Sequence, residues 1–172
     1  INEKLIEVKF TNKQSKPFDN ISRKSIYLAE TGHDLSVQRN IIKRELQRYG
    51  YKVLPDQVLP EEAFKLRKVV QEEIDQCSLS IHLIGSSYGD IPNGSDKSVG
   101  DIKNEIATGK SAQAQDKSEF LRLIWISPDL QNASEKQIAF VENSQRDLSS
   151  SEAAEILQTP LEDFKNIIRE EL

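Results

Sequence analysis

An α/β fold built on one parallel five-stranded sheet is what this sequence predicts, and three observations predict it. Short apolar runs rich in β-branched residues recur at residues 25–29, 51–54, 79–84, 120–126 and 154–157. Each is followed by a stretch whose apolar residues fall at helical spacing, the pattern of repeated strand–helix crossovers. Turn-forming Gly, Pro, Asn and Ser separate the pieces. Strands of one direction, covered by helices on both faces, satisfy all three. For five such strands the common order is 2-1-3-4-5, with its switch point between the first and third strands.

Residues 1–24 mix Leu5, Ile6, Val8 and Phe10 with Asn, Lys and Gln, and read as an N-terminal extension; residues 25–172 form the folded domain. The first strand is SIYLA at 25–29. In the turn ETGHD at 30–34, Thr31 or Asp34 is expected to cap the next helix. That helix places Leu35, Ile42, Leu46 and Tyr49 on one stripe, and Gly50 closes it at the C′ position. A second strand, 51–54, stops at Pro55. The loop 56–62, DQVLPEE, opens a helix over 63–76 with Phe64, Val69, Val70, Ile74 and Cys77 inside.

The third strand, 79–84, leads into a loop rich in Gly, Ser and Asn. Ser98 is the N-cap of the following helix and Asp101 sits in its first turn, where negative charge suits the helix dipole. Val99, Ile102 and Ile106 face the core, and Glu105 falls on the border of that face. Residues 111–119 are a polar linker before the fourth strand, FLRLIWI. A helix over 134–148 carries Ile138, Phe140, Val141 and Leu148, and a turn follows at 149–151. After a short strand at 154–157, Thr159-Pro160-Leu161-Glu162 reads as a capping box with Pro at the first helical position. The closing helix buries Leu161, Phe164, Ile167 and Ile168. This is a flavodoxin-like arrangement.

The net charge of −5 argues against nucleic acid or an anionic membrane as a partner, and no apolar run approaches the roughly 18 residues a membrane span needs. Lys65, Arg67 and Lys68 read as a solvated helix face. No stretch reads as a signal peptide. The single cysteine, Cys77, fits a reducing, cytoplasmic compartment and reads as a buried small hydrophobe. The chain has no methionine and begins at Ile1, so it is expected to be a segment of a longer protein whose other domains are partners.

Several chemistries lack their residues. His33 and His82 lie on different segments, so no metal site is expected; His82, within a strand, reads as structural, and His33 as a turn residue within reach of a ligand. GSSYG at 85–89 lacks the nucleophile-elbow spacing, and neither a P-loop nor a dinucleotide glycine fingerprint occurs. What remains is a carboxylate, Glu105, beside a loop of small hydroxylated residues with one aromatic, Tyr88. One ionised carboxylate can stabilise the oxocarbenium-like state of ribosyl-bond cleavage. A pyridinium leaving group departs neutral and needs no general acid. The turns after the first and third strands both open at the switch point, so one cleft is expected.

Residues 25–34 (SIYLAETGHD), 51–60 (YKVLPDQVLP), 81–90 (IHLIGSSYGD), 98–107 (SVGDIKNEIA) and 123–128 (LIWISP) together resemble the bacterial Toll/interleukin receptor (TIR) domain family over about residues 24–172. The resemblance implies the same five-stranded sheet and an NAD+ glycohydrolase, with NAD+ as substrate and no cofactor required, acting as effector module of a bacterial defence protein. It implies Glu105 as the catalytic residue. Ala29, Glu30 and Thr31 would line the nucleotide side, and Ser86 and Tyr88 would stand near the nicotinamide or ribose. Asp101 occupies the pocket position that is often aromatic in enzymatic members. Self-association through loop 56–62, commonly required for activity, is also implied. Two other functions fit the same fold: a non-catalytic TIR interaction module, and an enzyme like the nucleoside deoxyribosyltransferases.

Overall fold

The computed structural model describes residues 24–30, 32–147 and 153–172. Expectations for residues 1–23, Thr31, Leu148 and the 149–151 turn lie outside them. The described elements run β1 (Ser25–Glu30), α1 (Ser36–Arg48), β2 (Lys52–Leu54), α2 (Ala63–Asp75), β3 (Cys77–Ile84), α3 (Val99–Gln113), β4 (Leu121–Ile126), α4 (Glu135–Asp147), β5 (Ala154–Leu157) and α5 (Leu161–Glu171), with a 3-10 turn at His33–Leu35 before α1. All four strand pairings are parallel, in the order β2-β1-β3-β4-β5.

Side-chain alternation along the strands divides the core into two faces. Ile26 and Leu28 of β1, Leu79, Ile81 and Leu83 of β3, and Leu123 and Trp125 of β4 pack under α1 and α5, against Ile42, Leu46, Phe164 and Ile168. The alternate residues meet α2, α3 and α4: Tyr27 and Ala29 pack with Leu66, Val70 and Ile102, while Ile84, Ile124 and Ile126 pack with Phe140 and Val141. Each fully buried large apolar side chain contributes roughly 1.5–3 kcal/mol, so both faces are needed. Three polar side chains of the second face are also buried: Ser80, His82 and Arg122. His82 Nε2 and Ser80 Oγ are 3.1 Å apart. Burial, then the charges of Arg122 and Lys103, hold the His82 imidazole well below its ordinary range, hence neutral.

Several local expectations meet a different physical outcome. Phe64, placed inside, is 77% exposed, and Tyr49 and Ile138 are also exposed. Ala63, Leu66, Val70 and Ile74 form the buried stripe of α2, which rotates Phe64 outward. Gly50 does take the left-handed conformation after α1, at φ 87°. The Thr159 hydroxyl makes no capping bond, and Pro160 is the N-cap residue of α5 instead of its first helical one. The Thr159 carbonyl accepts from Trp125 Nε1 at 2.8 Å.

Cys77 opens β3 instead of ending α2, which extends that strand by two residues beyond the expected start at Leu79. Its thiol donates to the Glu73 carbonyl at 3.2 Å, and burial pushes its pKa up to about 12. A thiolate is the reacting species. Labelling by an aromatic disulfide reagent at pH 8 should therefore be at least about a hundredfold slower in native protein than in denatured protein. Equal rates would mean that the β3 entrance opens freely.

Candidate functional site

The loop after β3 is fastened from two sides. Asp34 does not cap α1; its Oδ2 accepts from Ser86 N at 2.9 Å and Ser87 N at 3.3 Å. The first turn is thereby tied to the third, across the switch point. Gly85 and Gly32 permit this approach, since a Cβ at Gly85 would collide with Asp34 Oδ2 and one at Gly32 with Ser87. Farther along, Ser98 Oγ accepts from Asp101 N at 3.1 Å, the expected N-cap of α3. Tyr88 OH donates to Asp101 Oδ2 at 2.9 Å and accepts from Ser98 N at 3.2 Å. Burial, with Asp101 adding to it, pushes the Tyr88 phenol above its ordinary range, so it remains a donor.

Two hollows flank this loop where one cleft was expected. The first lies at the switch point, about 1170 Å³, between the 3-10 turn, residues 55–59 and the start of α3, with Arg39, Val58, Val99 and Lys103 on its walls. Lys103 is only 4% exposed and holds its ammonium 5.9 Å from the Tyr27 ring centroid. His33 stands at the mouth of this hollow, fully in solvent, 3.9 Å from Asp90. The second hollow, about 560 Å³, runs from the same loop down between α3 and α4. Tyr88, Asp101, Asn104, Glu105, Lys136 and Phe140 are among its walls. Both volumes are within or near the usual range of ligand sites, roughly 300–1,000 Å³.

The expected site residues are therefore divided. Tyr88, Asp101 and Glu105 share the α3–α4 hollow. Ala29 packs in the apolar core with Leu54 and Leu66 instead of lining a cleft. Glu30 ends β1, and Thr31 lies outside the described residues. Ser86 faces neighbouring loops, its hydroxyl 3.5 Å from the Asp129 carbonyl.

Glu105 is not on the border of the apolar face. Gly100, Lys103, Asn104, Ala107 and Ser111 carry the buried stripe of α3 toward the sheet, leaving the Glu105 side chain 45% exposed. Two cations meet it: Lys97 Nζ at 2.9 Å from Oε2, and Arg67 at 3.4 Å and 3.5 Å from the two oxygens. The Lys97 hydrogen bond holds the Glu105 carboxyl below the ordinary carboxylate range, against the opposing effect of partial burial and with further help from Arg67. Lys97 is raised in turn, by that same bond first. Glu105 is thus an anion at any pH near neutral.

The family described as "Domain of unknown function (DUF4062)" matches residues 25–172. The chain belongs to the DUF4062 family. Comparison with curated proteins finds no match, and comparison with solved structures finds none. The matched range of this DUF4062 domain starts at Ser25, the first residue of β1. Among its described residues, no helix is long and apolar enough to cross a membrane.

Four residues of the DUF4062 site were not singled out from sequence. Lys97 was passed over as loop, and Arg67 was read as part of a solvated face although it pairs with Glu105 across α2 and α3. Asn104 is buried on the floor of the hollow, its Nδ2 3.4 Å from Ser144 Oγ. Arg122 lies beneath it, donating to Asn104 O and to Thr108 Oγ1. The one signal within reach was Arg122 itself, a charge in the middle of an otherwise apolar strand.

Proposed function

We propose that this DUF4062 domain is a TIR-type NAD+ glycohydrolase, the effector module of a longer bacterial defence protein, with Glu105 as its catalytic carboxylate. The observation that carries the reading is the grouping of an ionised Glu105 with Tyr88 and Asp101 on one hollow of ligand size. The TIR resemblance of residues 81–90 and 98–107, where Tyr88 and Glu105 fall, supports it. In the reaction the bond between ribose C1′ and the pyridinium nitrogen breaks, its electron pair goes to nitrogen, and nicotinamide leaves neutral. Water then adds to C1′ and its proton passes to solvent. The carboxylate stabilises the cationic sugar between these events.

Lys97 and Arg67 do not bar that role. Both pairs are about half exposed, and exposed pairs contribute only about 0.2–1 kcal/mol, so a cationic sugar competes for the carboxylate. The test is nicotinamide release from NAD+ by the purified domain at high concentration or on a self-assembling carrier. Release above a buffer blank is the expected result; its absence under both conditions overturns the reading.

A second reading, a TIR-like assembly module without catalysis, is favoured by loop 56–62. Val58 is 99% exposed at its tip, and Phe64 just beyond is also exposed. Large apolar side chains standing in solvent suit a contact surface. Val58→Asp is expected to weaken self-association, measured by sedimentation, by about tenfold or more. Unchanged association would remove this loop from the interface.

A further inference from the structure

The α3–α4 hollow contains a cation already. Lys136 of α4 holds its ammonium 5.9 Å above the centroid of the Tyr88 ring, within the range of a cation–π contact. It does so although Asp96, Asp101, Glu105 and Asp147 all line the same hollow, and among the described residues it has no carboxylate partner. The ring it covers is fixed. Its hydroxyl is held by Asp101 and Ser98, and Phe140 meets it edge-on, with centroids 6.3 Å apart and planes at 72°.

We infer that this hollow takes a cationic aromatic ring on the Tyr88 face, and that Lys136 occupies the ring's place until it is displaced. Three features set the ligand class. The aromatic face attracts positive charge, and four carboxylates against the two ammonium groups of Lys97 and Lys136 reinforce that preference. Ala139 and Phe140 give the wall an apolar side, which suits a flat ring better than a small hydrated ammonium ion. On the floor, Asn104 is 6% exposed and its side-chain carbonyl has no hydrogen-bond partner among the described residues, an acceptor for an N–H on the ring's substituent. The inference rests on the glycohydrolase reading for one point, that the ring is the pyridinium of an oxidised nicotinamide. Lys136 then sets specificity without touching the bond that breaks.

The experiment is a titration of the full chain, at low ionic strength, with 1-methylnicotinamide cation and with neutral nicotinamide. Wild type, Lys136→Gln, Tyr88→Phe and Tyr88→Leu are compared by calorimetry or ligand-observed NMR. The cation is expected to bind at least about tenfold more tightly than the neutral amide. Lys136→Gln should tighten the cation by about threefold or more and leave the neutral amide unchanged, because it removes both the competitor and its repulsion. Tyr88→Phe should retain binding and Tyr88→Leu lose it; should the leucine variant melt, the other three proteins still decide. Equal affinity for the two probes, no binding of the cation, or no tightening in Lys136→Gln overturns the inference. Cation binding without nicotinamide release from NAD+ would overturn the glycohydrolase alone, and release without any preference for the cation would overturn this inference alone.

Discussion

Exchange of Glu105 for glutamine should lower nicotinamide release by at least about a hundredfold while leaving the melting temperature within a few degrees. The first figure follows from the size of one preorganised charge acting on a developing ion, about 10²–10³ in rate. Glutamine keeps the shape and can still accept a hydrogen bond, so only the charge is removed. The second figure follows from exposure. Lys97 and Arg67 lose a partner they share with water, and half-exposed pairs of this kind hold about 0.2–1 kcal/mol each. A large kinetic loss with a small stability loss separates catalysis from structure, and equal rates would remove Glu105 from the mechanism. The pH profile supplies a second check. Because Lys97 lowers the Glu105 carboxyl from its ordinary 4.5, the wild-type rate should hold through neutrality and fall only below the usual carboxylate range. The small stability from these pairs has the same sign: present above the unfolded pKa, and lost as pH falls through the depressed folded one.

The legibility of this chain follows from which interactions are local. Sheet order and both core faces could be read because alternation in SIYLA and LSIHLI and helical spacing in α1 and α5 are properties of neighbouring residues. The Ser98 cap was readable for the same reason, since donor and acceptor are three residues apart. Asp34 was misread because its hydrogen-bond partners lie more than fifty residues away, on the β3–α3 loop. Thr159 was misread because Trp125, distant in sequence, claims its carbonyl. Phe64 and Ile138 look like core residues by composition, yet the rotation of α2 and α4 against the sheet decides exposure. The site divides along the same line. The Tyr88, Asp101 and Ser98 cluster sits within one loop and helix start, whereas the Lys97 and Arg67 grip on Glu105 depends on how α2 lies against α3.

Arg122→Ala is expected to be among the most damaging single changes in the domain, and Arg122→Met among the mildest for so large a side chain. Arg122 lies on central strand β4 at 1% exposure, the largest of the fully buried side chains. Burial lowers its pKa to about 10, with Asp147 opposing, so the guanidinium remains charged at neutral pH. Its hydrogen bonds go to Thr108 Oγ1 and, at 3.5 Å, to Asn104 O, while its Nε has no partner among the described residues. An incompletely matched buried charge gains little over an apolar group of equal volume, whereas an empty volume at the same place costs the full cavity penalty. Alanine should therefore cost about 3 kcal/mol, roughly a 6–12 °C fall in melting temperature for a chain of this size. Methionine should cost under about 1.5 kcal/mol. Thr108 Oγ1 keeps its bond to Asn104 O at 2.7 Å in either variant, so no new orphan hydroxyl confuses the comparison. His82 provides an internal control. Its imidazole is kept neutral chiefly by burial, so removing the Arg122 charge should leave it neutral near pH 7 in Arg122→Met, as followed by its ring-proton NMR shifts. If methionine melts as low as alanine, the guanidinium and its contacts, not its volume, hold α3 and α4 against the sheet, and the floor of the hollow is then electrostatically built.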